Sequence, residues 1–144
     1  MARKPNVKHK RRDVLPTFLW LQEHFPCPKL TLSVVNSNHW AIKPTRHCPA
    51  GLDGAVLDFE GHQRVFLNSS AELSDLRHTL LHEYAHALCN CLPNSPHYTP
   101  HNGVWGAIYA LIYATWSNEW SEHEREQIES ILEDKLHGED EGED

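Results

Sequence analysis

Residues 80 to 88 read LLHEYAHAL, two histidines four positions apart with a glutamate after the first. On a helix, side chains at i and i+4 project side by side, so His82 and His86 can hold one Zn2+ at about 2.0–2.1 Å. Glu83 then reaches a water on that metal, and its carboxylate can take the proton as the oxygen attacks a carbonyl. In a chain with 12 His, the pattern H-E-x-x-H arises by chance with odds of about one in ten. The phase of the surrounding helix therefore decides. Leu73, Leu76, Leu80, Tyr84, Ala87, Leu88 and Cys91 recur at helical spacing as one apolar stripe, and His82 and His86 fall on the other side.

A catalytic zinc takes three protein ligands and keeps one position open. After Pro93, which ends the predicted helix, the loop NSPHYTPHNG supplies His97 and His101, and the chain beyond it supplies Glu119 and Glu122. His101 is the preferred third ligand, because it begins the apolar segment VWGAIYALIYATW (104 to 116), expected to be a buried helix that fixes its direction. His78, one turn before His82, is a candidate to orient a ligand. Tyr98 is a candidate donor to the oxyanion of a tetrahedral intermediate. The Trp and Tyr residues from 105 to 120 read as core.

Upstream, Ser69-Ser70-Ala71-Glu72 has the pattern of a capping box at the start of the motif helix. Residues 30 to 36, 39 to 43, 54 to 60 and 62 to 68 read as short strands, rich in β-branched and aromatic residues. Gly61 marks a tight hairpin between the last two, and the Pro- and Gly-rich stretch 43 to 54 a loop. Extended peptides can bind along a sheet edge by main-chain pairing, and Asp58, Glu60 and His62 lie around a strand end, but which edge is free is not legible. Asp13 is placed to cap a first helix with Pro16 in its opening turn, and Ser121 with Glu124 to open an amphipathic closing helix.

Composition limits the alternatives. With 144 residues, one domain is expected, spanning residues 13 to 137 between two disordered tails. The tail 1 to 12 carries six Lys and Arg and no acid, and the acidic tail 138 to 144 closes a segment (133 to 144) with seven acids and one Lys. Removing 1 to 12 and 133 to 144 from the net charge of −7 leaves about −7 on the middle of the chain, poor material for gripping a phosphate backbone. A weak nucleic-acid contact is therefore expected only through the basic N-terminal tail. No run of about 18 apolar residues and no export signal is visible, so the expectation is a cytoplasmic monomer without membrane contact. Cys27, Cys48, Cys89 and Cys91 lack paired CxxC spacing and read as reduced, mostly buried thiols.

The run HEYAHALCNCLPNSPHYTPHNGVW, residues 82 to 105, resembles the metal core of SprT-like, Spartan-type zinc metallopeptidases and the neighbouring WLM-type peptidases. In those families H-E-x-x-H is followed by a His with an aromatic residue four positions later; here these are His101, fifteen residues after His86, and Trp105. The resemblance covers about 25 residues closely and the order of elements over 13 to 116 more loosely. It implies a minimal zincin-like α+β domain, with a small sheet packed on the HExxH helix and flanking helices. It also implies His82, His86 and His101 as zinc ligands, Glu83 as general base, and a protein or peptide substrate. The chain departs from Spartan in ending on one amphipathic helix and an acidic tail, and its four Cys cannot build a zinc ribbon. A stand-alone peptidase of the phage or prophage kind is an equally good analogy. The rival expectation is a non-catalytic, zinc-stabilised structural or nucleic-acid-associated protein.

Overall fold

The computed structural model describes residues 7–92 and 103–119. Among them are three helices and one three-stranded sheet, an α+β arrangement: α1 (Val7–His24), β1 (Leu30–Val35), β2 (Gly54–Phe59), β3 (His62–Asn68), α2 (Leu73–Asn90) and α3 (103–119). Two compact units are distinguished, one ending at Tyr109 and the other beginning at Ala110, so α3 contributes its first seven described residues to the unit that holds the sheet.

In α1, Val14, Thr17, Phe18 and Leu21 recur at three- and four-residue spacing and are buried. The helix begins at Val7, not at Asp13. Half of the basic segment expected as a tail is therefore helical, and Lys10 is tied down, its Nζ donating to the Ala71 carbonyl at 2.8 Å. Pro16 consequently sits inside the helix, where it forgoes one i→i−4 hydrogen bond. It occupies an exposed position, where the freed carbonyl can turn to water.

The sheet order is β1-β3-β2, with β1 parallel and β2 antiparallel to the central β3. Period-2 alternation separates its two faces. Leu30, Leu32 and Val34 pair with Gln63, Val65 and Leu67, all buried, and this face packs on the helices. On the opposite face Phe66 is covered by His39 and Trp40, with ring centroids 5.2 and 5.7 Å away. These two residues belong to the stretch 39–43, expected as a strand, which instead folds as turns: the His39 carbonyl accepts from both Ile42 and Lys43 N–H. The β2–β3 hairpin closes on Glu60 (φ 54°) and Gly61 (φ 90°). Positive φ at both central residues is the requirement of a type I′ turn, whose twist matches that of the strands.

Helix α2 buries Leu76, Leu80, Leu81, Tyr84, Ala85, Ala87 and Cys89. The expected capping box does not form. Glu72 is the N-cap without a side-chain cap bond, and Ser69 is buried with its N–H bonded to the Val35 carbonyl. The polar turn before the helix is organised by Asn68, whose Oδ1 accepts from the N–H and Oγ of Ser70. Helix α3 was expected to be buried all round, yet Val104, Leu111 and Tyr113 are 54%, 59% and 41% exposed. No described helix is long and apolar enough to cross a membrane.

Candidate functional site

The stripe that seats α2 on the sheet leaves His82, Glu83 and His86 half-buried along its margin. The two imidazoles stand side by side, ring centroids 5.0 Å apart, as the i, i+4 spacing requires. Trp105 lies against both, 4.8 Å from His82 and 5.2 Å from His86, on which it stacks at 28°. Tyr109, one turn on, stacks on Trp105 at 5.0 Å and reaches His82 at 5.9 Å. One i, i+4 pair of aromatics thus meets one i, i+4 pair of histidines, which corrects the reading of Trp105 and Tyr109 as core.

Glu83 faces a cleft of about 350 Å3 lined by Asp53, Gly54, His78, Thr79, His82 and Tyr109. Its carboxylate has no hydrogen bond and no cation partner among the described residues, and burial pushes its pKa up to about 7. Desolvation alone is the cause: the charged form loses water and gains no compensating partner. His78 is oriented by its own helix, its Nδ1 donating to the Ser74 carbonyl at 2.8 Å, and lines the same cleft.

Gly54 brings the sheet to this carboxylate. A Cβ there would meet Thr79 Cγ2 at 2.7 Å, the Phe66 carbonyl oxygen at 3.0 Å and Glu83 Cγ at 3.3 Å, so only glycine lets the first residue of β2 come this close to α2. Because β2 is an outer strand with β3 on one side, its other edge has no strand partner among the described residues. Asp58, Glu60 and His62 lie at the far end of β2, in and beside the hairpin, where Asp58 Oδ1 accepts the Gly61 N–H at 2.9 Å. Glu60 is in the turn and Asp58 and His62 are strand residues beside it, and none of the three lines the cleft.

Other candidates fall elsewhere. His101, His97, Tyr98 and Glu122 lie outside the described residues, and Glu119 is exposed near the end of α3 in the second unit. Among the described residues no group of three or more metal-ligating side chains comes together. The described chain thus contributes two imidazoles and one carboxylate. Two neutral imidazole nitrogens are good zinc donors, and a carboxylate beside them with no other partner suits a proton acceptor better than a structural bond. Gly54, Thr79 and Tyr109 escaped the sequence reading. The glycine opening a strand and the Trp105/Tyr109 spacing were the available signals.

No protein-family model, no curated protein and no solved structure matches this chain.

Proposed function

We propose that the chain is a zincin-like, zinc-dependent metallopeptidase of the SprT-like kind. The observation that carries this reading is Glu83, a carboxylate with no partner among the described residues, adjoining the His82/His86 pair in a cleft whose other wall is the start of an outer strand. His82 and His86 are the metal-holding residues of the described chain, and His101, outside it, is the third ligand of the proposal. Bound zinc would supply Lewis acidity, acidifying water and polarising a carbonyl oxygen.

The chain's own residues do the rest. Glu83 takes the proton of the attacking water and returns it to the leaving amine, the task of a general base that becomes a general acid. A carboxylate whose affinity for protons has been raised by burial is matched to both halves of that exchange near neutral pH. Extended substrate pairs its main chain with the edge of β2 that has no strand partner among the described residues, and the Gly54 end of that edge delivers a peptide carbonyl beside Glu83. Trp105 and Tyr109 shield the imidazoles and hold their rings.

The test is zinc content and hydrolysis of an unfolded protein substrate by wild type, Glu83→Gln and His101→Ala. About one zinc per chain is expected in wild type and in Glu83→Gln, with hydrolysis lowered at least about 10²-fold in the latter. His101→Ala should lose the metal. Unchanged activity in Glu83→Gln would refute the catalytic role, and unchanged zinc in His101→Ala the third ligand.

A further inference from the structure

Away from the cleft, the fold brings together two thiols that are 64 positions apart in sequence. Cys27 lies in the connection between α1 and β1 and is buried; Cys91 caps the C-terminus of α2 and is exposed. Their sulfurs are 3.5 Å apart and share a hydrogen. Both ends are anchored. The Cys27 N–H donates to Gln22 Oε1 at 3.2 Å, and Gln63 Nε2 donates to Cys91 Sγ at 3.4 Å. Nothing in the proposed hydrolysis uses either sulfur.

We propose that Cys27 and Cys91 are a reversible thiol–disulfide pair, a modification site at which a hydroperoxide oxidises Cys91 and Cys27 closes the crosslink. The two sulfurs have different roles because their surroundings differ. Cys91 is open to solvent, where a peroxide can reach its sulfur, and that sulfur is held in place by the N–H it accepts from Gln63. Cys27 is screened behind it, and its thiol is pushed up to about 12 by burial and by the neighbouring Cys91. It stays protonated and is spared direct oxidation.

In the first step Cys91 sulfur bonds to the distal peroxide oxygen, the O–O bond breaks, and the departing oxygen takes a proton, leaving a sulfenic acid and, from hydrogen peroxide, water. In the second, Cys27 sulfur displaces the sulfenic oxygen, which leaves as a second water with the Cys27 proton. Two thiols and one peroxide give one disulfide and two waters. The sulfurs must close from 3.5 Å to about 2.05 Å, and Cys91 lies at an exposed helix cap. The product ties the last turn of the motif helix to the segment following α1.

The experiment treats the reduced full chain with hydrogen peroxide and maps its thiols by mass spectrometry under non-reducing conditions. Two of the four thiols should disappear together, with a mass loss of roughly 2 Da for the new bond. The Cys27 and Cys91 peptides should be linked, and dithiothreitol should release them. Because the crosslink closes a long loop, the oxidised chain should unfold at a higher temperature, by several degrees. Cys48→Ser and Cys89→Ser should crosslink like wild type, whereas Cys27→Ser should drive Cys91 on to sulfinic acid. A crosslink involving Cys48 or Cys89, or wild-type Cys91 reaching sulfinic acid with Cys27 still a free thiol, would overturn the assignment. None of these readouts depends on zinc or on hydrolysis.

Discussion

Helix α2 meets the sheet through two polar side chains that are treated in opposite ways. Toward β3, the buried Gln63 is saturated: its Nε2 donates to the Ala87 carbonyl and to Cys91 Sγ, and its Oε1 accepts from Asn90 Nδ2 at 3.0 Å. Toward β2, Glu83 has no such partner among the described residues and its carboxylate is lifted to about 7. A fold built only for stability bonds its buried polar groups, because leaving one unbonded costs about 1–3 kcal/mol. Gln63 follows that rule and holds the architecture together. Glu83 breaks it on α2, one turn before the Ala87 whose carbonyl accepts from Gln63, which is the pattern expected where chemistry needs a group that architecture would have paired.

The largest test of this contrast is the pH dependence of stability in the metal-free protein. In the unfolded chain Glu83 ionises near 4.5, in the folded chain near 7. Below 4.5 both states carry the proton and burial of the neutral acid is not penalised by charge. Between 4.5 and 7 the unfolded state ionises first, so folding stability falls as pH rises, by about 1.4 kcal/mol per unit and about 3 kcal/mol in all. Glu83→Gln removes this loss. With a chelator present, urea unfolding should find the variant about 3 kcal/mol more stable than wild type above pH 7 and equal to it below pH 4.5. Parallel curves for the two proteins would mean that Glu83 is paired or solvated after all.

A smaller effect is expected at Gly54, which sets the distance between the two walls of the cleft. Gly54→Ala places a methyl 2.7 Å from Thr79 Cγ2 and 3.3 Å from Glu83 Cγ. Thr79 is β-branched on a helix and has little rotameric freedom to retreat, so overpacking should cost about 2 kcal/mol. Adding Thr79→Ser removes the obstructing methyl and should restore part of that stability. A neutral Gly54→Ala would show that β2 does not rest on α2 at the carboxylate.

What could be read beforehand depended on how local the cause was. The β2–β3 hairpin was legible because positive φ at a two-residue turn is a demand made by Gly61 itself. The phase of α2 was legible because one stripe of Leu, Tyr and Ala must be buried together, which fixes where His82 and His86 point. The start of α1 was not. Asp13 is a good local cap, but the helix extends to Val7, where Lys10 finds the Ala71 carbonyl, a partner 61 residues away. Residues 39–43 misled for the same reason: His39 and Trp40 look like strand residues, but their role is to cover Phe66 on a sheet they do not join. At the site, the histidines and Glu83 followed from helix periodicity, whereas Gly54, Thr79 and Tyr109 are there because of tertiary packing. Periodicity places a residue on a face and says nothing of which residue of another element it meets.

The smallest test lies on the saturated side. Asn90→Ala withdraws one donor from Gln63 Oε1 and leaves both bonds from Gln63 Nε2 in place. Asn90 is only half-buried, so water can take over part of the lost bond, and the expected cost is about 1 kcal/mol. Neither amide titrates, so the effect should be flat from pH 4.5 to pH 8, unlike that of Glu83→Gln. Measuring both variants in the same urea series therefore separates the two kinds of polar group by the shape of their pH dependence as well as by size. A pH-dependent Asn90→Ala would show that the network around Gln63 and the carboxylate of Glu83 are coupled through α2, and the division between scaffold and site would have to be drawn elsewhere.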